Sequence, residues 1–187
     1  MPGPRTEVEI RAVERDDADA LRRFFAHVPE GDRTFFREDV LEPGVIERWL
    51  GDRDQRRLIA IVDGDIGGHV AVLRGVGWSR HVAELRLVIA PAHRRRGLGR
   101  LLAQRAVVEA VEMGTTKLVV EVVAAQEATV EMFSKLGFEP EGLMKEHVRT
   151  QTGELHDLLV LSHFVEPLWD VLRTTGVEDL VLGDDAS

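Results

Sequence analysis

Cysteine and tyrosine are both missing from this chain of 187 residues. Without cysteine, the protein has no disulfide, no thiolate metal ligand and no cysteine nucleophile. Without tyrosine, one of the side chains that enzymes use as a general acid is unavailable. These two absences exclude thiol chemistry and narrow the choice of groups for proton transfer.

Positive charge is also scarce. The chain has 24 Lys and Arg against 33 Asp and Glu, which gives a formal net charge of −9. Such a balance argues against a nucleic-acid footprint spread over the surface, so we predict no nucleic-acid partner. Any anion that binds must be held by a local cationic patch.

Long apolar runs are absent. No segment approaches the roughly 18 apolar residues of a membrane span, and residues 1–5 lack the apolar core of a signal peptide. We therefore expect a soluble, cytoplasmic protein with no membrane partner.

The remaining composition is that of a globular domain, with 44% hydrophobic and 30% charged residues. The length predicts one domain, which we place at residues 1–165. Residues 166–187 differ in kind, because they carry six acids and one base, a net charge of −5. We interpret them as an acidic C-terminal extension.

Hydrophobic periodicity predicts alternating strands and helices. A strand is expected at Val8 to Ala12, followed by a helix that Asp16 caps and Pro29 ends. The same reasoning predicts a helix at 45–50, strands at 58–62, 68–73 and 82–90, a helix at 97–113, a strand at 118–123, a helix at 128–136, and strands at 143–150 and 155–163. This order indicates a mixed α/β or α+β layered domain.

One loop carries a concentrated positive charge, between the strand at 82–90 and the long helix. It reads His93, Arg94, Arg95, Arg96, Gly97, Leu98, Gly99, Arg100. Free backbone N–H groups and the positive dipole end favour an anion at a helix N-terminus. The glycines let a phosphate approach the backbone, and the arginines add charge-assisted hydrogen bonds. The loop therefore predicts a phosphate or pyrophosphate cradle.

Other interpretations of this loop fit less well. A Rossmann loop needs a third glycine where this chain has Leu102, and a Walker loop needs Gly-Lys-Ser/Thr, which is missing. A surface turn whose arginines are merely solvated stays open from local charge alone.

A family resemblance adds to this interpretation. Val88-Ile89-Ala90-Pro91, followed by residues 94–99, resembles the acyl-CoA signature Gln/Arg-x-x-Gly-x-Gly/Ala of the GNAT superfamily of N-acetyltransferases. Residues 132–138, Met-Phe-Ser-Lys-Leu-Gly-Phe, resemble the second conserved block of that family, and the order of elements is similar as well. Ala83-Glu84-Leu85 looks most like the bacterial branch that acetylates protein lysines.

The resemblance implies a GNAT-like, mixed and mostly antiparallel sheet of about seven strands, splayed between the fourth and fifth and flanked by helices. It also implies acetyl-CoA as cosubstrate. The pantetheine arm would lie along Val88, Ile89 and Ala90, and the pyrophosphate on the loop. The implied cofactor-binding residues of the loop are Arg94, Arg95, Arg96, Gly97, Leu98, Gly99 and Arg100.

Two further positions follow from the resemblance. Gln126 stands where many members carry an asparagine that contacts CoA, although a polar residue at a helix N-terminus is an equally good interpretation. Phe133 occupies the place of the tyrosine that often protonates the departing thiolate. We expect Phe133 to pack beside the pantetheine, with water or Ser134 as possible proton donors.

Acetylating an amine at neutral pH requires removal of a proton. A lysine with a pKa of about 10.4 is neutral in about one of a few thousand molecules at pH 7, a cost of about 4.6 kcal/mol. Strand alternation puts Glu84 on the same face as Val88, near the expected thioester. We predict that Glu84 is the general base, acting through a water; the alternative is that it pairs with Arg86.

The histidine spacing shows no metal motif, and we predict no metal. The predicted function is acetyl transfer from acetyl-CoA to a primary amine, with a protein lysine or N-terminal amine as the leading acceptor. The alternatives are a small-molecule amine acceptor and a catalytically silent acyl-CoA-binding or sensor module. The predicted oligomeric state is a monomer or homodimer.

Overall fold

A computed structural model describes residues 8–29, 32, 38–150 and 152–165. These residues form one seven-stranded sheet covered by helices on both faces. The predicted acidic extension, residues 166–187, lies outside the described residues.

The sheet has the strand order β1-β2-β3-β4-β5-β7-β6. Neighbouring strands are antiparallel except β4 and β5, which run parallel. The seven strands are β1 Val8–Ala12, β2 Gln55–Val62, β3 Asp65–Arg74, β4 Val82–Ile89, β5 Lys117–Val123, β6 Glu139–Arg149 and β7 Leu155–Phe164. The predicted mixed, mostly antiparallel sheet is confirmed.

Four α-helices accompany the sheet in the described part of the chain. They are α1 Ala18–His27, α2 Val45–Gly51, α3 Leu98–Glu112 and α4 Glu127–Lys135. All four were predicted to within three residues at each end. None of the helices within the described ranges is long and apolar enough to cross a membrane.

The alternation of side chains along the strands divides the core in two. Leu58, Val70 and Leu85 face α3 and α4 on one side of the sheet. Ile59 and Val88 face α1 and α2 on the other side. Because Glu84 alternates with Leu85, its side chain lies on the face of α1 and α2.

The start of the first helix differs from the prediction. A 3-10 turn at Arg15–Asp17 precedes α1, and Asp17 rather than Asp16 occupies the N-cap position. The Asp17 carboxylate accepts two hydrogen bonds from Arg11, at 2.7 and 2.8 Å, and one from the Glu14 N–H at 2.8 Å. The ion pair between Asp17 and Arg11 of β1 therefore fixes where this helix begins. Local capping preferences could not predict this contact between two separate elements.

His69 on β3 is fully buried between α1 and α2. Its ring stacks on Trp49 at a centroid distance of 5.9 Å and meets Phe25 edge-on at 5.3 Å. Burial, together with the positive charge of Arg57, lowers the pKa of His69 well below its usual value. The folded protein therefore holds this imidazole neutral.

We expect acid to destabilise the protein through His69. The pKa of His69 is lower in the folded than in the unfolded state, so only the unfolded chain takes up this proton as the pH falls below about 6.5. Proton uptake favours the unfolded state, and the free energy of unfolding therefore falls with decreasing pH and recovers as the pH rises. The slope from this group is at most about 1.4 kcal/mol per pH unit. Urea unfolding between pH 7 and 5 should show a shallower dependence for His69→Leu than for wild type or for the exposed-site control His147→Gln. Equal slopes in all three would contradict the assignment.

Candidate functional site

A cleft opens where β4 and β5 part. The two strands pair over only four residues each, Val82–Leu85 with Lys117–Val120. Beyond that point β4 stays paired with β3 as far as Ile89, and β5 with β7 as far as Val123. A cleft of about 1170 Å³ occupies the gap. The splay between the fourth and fifth strands is thus confirmed, and it begins at Arg86.

The edge of β4 that faces the cleft meets no strand from Arg86 to Ile89 among the described residues. Its outward backbone groups are therefore open to a ligand, apart from the Ile89 carbonyl, which accepts a hydrogen bond from Arg94 Nε at 3.0 Å. An extended chain bearing amides fits such an edge in the manner of an added strand. Pantetheine is a chain of this kind.

The arginine loop closes one end of the cleft. Arg95 and Gly97 both have left-handed backbone angles, with φ of +58° and +82°, and α3 begins at the next residue, Leu98. The first N–H groups of a helix have no acceptor within it, and the helix dipole is positive there. Arg95 and Arg100 line the cleft beside these groups. The end of the cleft thus has the chemistry to hold a pyrophosphate.

Gly99 lets α3 approach the sheet closely. A Cβ atom at this position would lie 3.3 Å from Met132 Sδ and 3.5 Å from Ile89 Cγ1. Gly99 itself lines the cleft. A side chain here would have to displace Met132 or project toward the bound anion.

Arg94 is tied to the protein itself. Besides the Ile89 carbonyl, it forms an ion pair with Asp32, which also lines the cleft. Within the described ranges, Arg95, Arg96 and Arg100 form no ion pair. The free cations of the loop are therefore better placed than Arg94 to meet an added anion.

The structure brings most of the predicted site residues to this one cleft. Its lining includes Glu84, Val88, Ile89, Arg94, Arg95, Gly97, Gly99, Arg100, Gln126 and Phe133. Ala90, Arg96 and Leu98 are described but do not line it. The Leu98 side chain is buried in the core between α3 and the sheet. Ala90 packs toward α1 and α2 on the other face of the sheet, and Arg96 is exposed.

The two further positions that the resemblance implied, Gln126 and Phe133, lie on the β5 side. Gln126 is the N-cap of α4, with no capping hydrogen bond from its side chain. Phe133 is buried and meets Phe138 edge-on at a centroid distance of 5.2 Å. Its ring therefore forms part of both the core and the cleft wall.

Glu84 is held by Arg86 on the same strand. Arg86 Nε and Nη2 donate to the two carboxylate oxygens at 2.8 and 3.3 Å. Both side chains are largely buried, and both residues line the cleft. The ion pair that the sequence left as an alternative is thus present, and a base role for Glu84 stays a prediction.

Sequence reasoning missed several polar residues of the cleft, among them Glu121 and His147. Val119 pairs with Glu84, so alternation puts Glu121 on the same face as Glu84 and Arg86. The only local signal was that Glu121 interrupts the apolar run of β5. His147 lies on β6, far along the chain, and nothing in its surroundings marked it.

Across the described ranges, no group of three or more His, Cys, Asp or Glu side chains is arranged to hold a metal ion.

The chain is similar to known acetyltransferases in sequence. The model of the Acetyltransferase (GNAT) family matches residues 18–138, which include β4, the arginine loop and α4. Streptothricin acetyltransferase of Streptomyces lavendulae is 32% identical over 88 residues, 46% of this chain and 46% of that protein. The aligned part therefore spans about half of this curated relative.

Solved structures share the fold over most of the chain. An acetyltransferase of the GNAT family from Streptococcus pneumoniae has 25% identity and a TM-score of 0.73, covering 84% of this chain and 99% of its own. A Salmonella typhimurium protein, solved with acetyl-CoA as its cofactor, has 20% identity and a TM-score of 0.74, covering 85% of this chain and 94% of its own.

Proposed function

The chain belongs to the acetyltransferase (GNAT) family, and from this premise we propose that it transfers acetyl from acetyl-CoA to a primary amine, directly within a ternary complex. The observation that carries the proposal is the open edge of β4 leading into the arginine loop. This arrangement offers backbone groups to an amide-bearing arm and cations to a pyrophosphate within one cleft.

The residues present fit acetyl-CoA. Arg95, Arg100 and the first N–H groups of α3 would hold the pyrophosphate. The free edge from Arg86 to Val88 would hold the pantetheine arm. When bound, acetyl-CoA supplies the acetyl group as a thioester, whose C–S bond breaks as the new C–N bond forms.

Glu84 would act as the base. Its carboxylate accepts a hydrogen bond from Arg86 Nε at 2.8 Å, and one bridging water extends its reach to the acceptor ammonium. The neutral amine then attacks the thioester carbonyl, and backbone N–H groups near Val88 can hydrogen-bond the oxygen that becomes negative. Arg86 positions the carboxylate during this step.

Departure of the thiolate depends less on a general acid than attack by the amine depends on a general base. A thiol with a pKa of about 8.5 is already a fair leaving group near neutral pH, so collapse of the tetrahedral intermediate favours C–S cleavage once nitrogen has lost its proton. Water can protonate the thiolate afterwards. Phe133 at the cleft wall is therefore compatible with turnover.

We expect Phe133→Tyr to change kcat by less than about tenfold, small beside the 10² to 10⁴ that a required general acid contributes. Steady-state rates with the best amine, at saturating acetyl-CoA, measure the effect. Because Phe133 is buried against Phe138, Phe138→Tyr is a matched control for adding a hydroxyl to this aromatic pair. A gain of a hundredfold or more in Phe133→Tyr alone would mean that the absent acid limits the reaction.

A small-molecule amine is the acceptor class that we favour. Streptothricin acetyltransferase, which is 32% identical over 88 residues, is named for a small-molecule substrate, whereas the protein-lysine acceptor rests on the resemblance of Ala83-Glu84-Leu85 alone. The carboxylates of Glu84 and Glu121 on one face of the cleft would attract a cationic amine. A protein lysine or N-terminal amine is the second candidate.

The proposed function is tested by following free-thiol release with acetyl-CoA over a panel of small amines and lysine peptides. We expect turnover above the hydrolysis background with at least one small amine and weaker turnover with peptides. Turnover confined to peptides would reverse the acceptor class. Tight acetyl-CoA binding without turnover on any amine would identify a silent binding module instead.

A further inference from the structure

A second pocket, of about 470 Å³, lies between α2 and the strands β2 and β3. None of its lining residues in the described part of the chain belongs to the lining of the cleft. Leu58 of β2 faces α3, so alternation puts its neighbour Arg57 on the opposite face of the sheet, where Arg57 lines this pocket. We refer to it as the Arg57 pocket.

Arg57 is a buried cation without a counter-ion. The residue is only 8% exposed, and among the described residues no carboxylate lies within the 4 Å of an ion pair with it. Its Nε donates to Gln55 Oε1 at 2.7 Å. Nη1 and Nη2 donate to no atom of the described residues, yet neither is sealed from solvent. Because a buried charge is costly unless it is paired, these two nitrogens are suited to an anion that enters the pocket.

Stacking holds the guanidinium of Arg57 in one orientation. Its Cζ lies 3.6 Å from the centroid of the Trp49 ring, and this ring also stacks on His69 at a centroid distance of 5.9 Å. Trp49 Nε1 donates to Glu38 Oε1 at 2.9 Å, which fixes the ring in its plane. The planar pair of Nη nitrogens is therefore preorganised for a ligand.

The acids of the pocket restrict the charge of the ligand. Glu38, Asp52 and Asp54 line it. Asp52 already accepts a hydrogen bond from Gln55 Nε2 at 2.6 Å, and Asp54 forms an ion pair with Arg80 at 3.4 Å. Their negative charges repel a dianion more strongly than a monoanion. A carboxylate carries a single charge, and its two oxygens match the spacing of two guanidinium nitrogens.

We propose that the Arg57 pocket binds a small carboxylate ligand, whose two oxygens accept hydrogen bonds from Arg57 Nη1 and Nη2. The ligand supplies the counter-charge that the chain does not place beside this cation. Burial lowers the pKa of Arg57 to about 9, so the guanidinium is still charged at pH 7. Because the pocket and the cleft share no lining residue, the proposal is independent of the acetyl transfer proposed above.

The test measures how much sodium acetate raises the Tm of wild type and of Arg57→Met at pH 7, with ionic strength held constant by sodium chloride. A ligand that binds the folded protein raises Tm, whereas general salt effects are common to both proteins. With a Kd of about 1 mM, 100 mM acetate should raise the Tm of wild type by about 5 °C more than that of Arg57→Met. Methionine keeps an unbranched side chain over Trp49 and removes the unpaired charge, so the variant should fold.

Glu38→Gln gives a second, opposite change. Its amide oxygen can still accept the Trp49 N–H, while a negative charge near Arg57 disappears. Acetate should therefore bind about threefold more tightly to this variant. An acetate response equal to that of wild type would contradict the proposal, even if Arg57→Met failed to fold.

A control and a second anion complete the experiment. Arg23→Met removes an exposed arginine of α1 outside the pocket and should keep the full wild-type response to acetate. An equal gain in Tm for wild type and Arg57→Met would show that no carboxylate binds at Arg57. If sodium sulfate separated these two proteins more than acetate does, the ligand would be a dianion and the carboxylate class would be wrong.

Discussion

Glu84→Gln should lower kcat/KM by about 10² to 10⁴ at pH 7 while leaving the Kd for acetyl-CoA nearly unchanged. The amide cannot accept the ammonium proton, and the free amine is rare at this pH. Glutamine can still accept one hydrogen bond from Arg86, so the strand and its neighbour should keep their places. Raising the pH should recover part of the loss, because the neutral amine then becomes common without a base.

Glu121→Gln is the matched control for this prediction. Both carboxylates line the cleft from the same face, one on β4 and one on β5. If Glu84 is the base, the Glu121 variant should lose far less kcat/KM and show no comparable recovery at high pH. A wild-type rate in Glu84→Gln, with a large loss in Glu121→Gln, would move the base to β5 and leave Glu84 as the structural partner of Arg86.

Gly99→Asp should weaken acetyl-CoA binding by about a hundredfold or more, which corresponds to about 2.7 kcal/mol. The new side chain would crowd Met132 or enter the cleft. Its negative charge would repel the pyrophosphate and offset the positive dipole end of the helix, which otherwise favours an anion there. Calorimetry with acetyl-CoA measures the loss. Wild-type binding should itself weaken as salt rises, because exposed charges are screened over about 8 to 10 Å.

Gly142→Asp provides the control for Gly99→Asp. It makes the same chemical change at a glycine of β6 whose Cβ would meet nothing within 4 Å. Acetyl-CoA affinity and its salt dependence should be unchanged in this variant. Wild-type affinity in a folded Gly99→Asp protein would exclude the arginine loop as the pyrophosphate site.

These two variants report on separate parts of the reaction. Gly99→Asp acts on binding of the cosubstrate, and saturating acetyl-CoA should recover much of its rate. Glu84→Gln acts on proton removal, and no acetyl-CoA concentration should recover it. Their different responses to substrate concentration and pH distinguish a damaged cradle from a missing base.

Local sequence patterns were sufficient to locate the helices and strands and to predict the anion site. Hydrophobic spacing, apolar runs and turn signals located all seven strands and four helices of the described chain, because most of these elements bury apolar side chains. The loop from Arg94 to Arg100 could be interpreted without a fold, since its glycines, its arginines and the helix start are contiguous. The family expected from this loop and the second block is confirmed by the match over residues 18–138.

The polar composition of the cleft depended on contacts between residues distant in the chain. The register of β4 on β5 put Glu121 on the same face as Glu84 and ended the pairing at Leu85, and neither follows from the spacing within one strand. An ion pair with Asp32 occupied Arg94, and a register shift between β6 and β7 left Lys145 to His147 opposite Asp157. Periodicity reports which face of an element is buried, whereas strand register, ion pairs and bulges arise only when separate elements pack together.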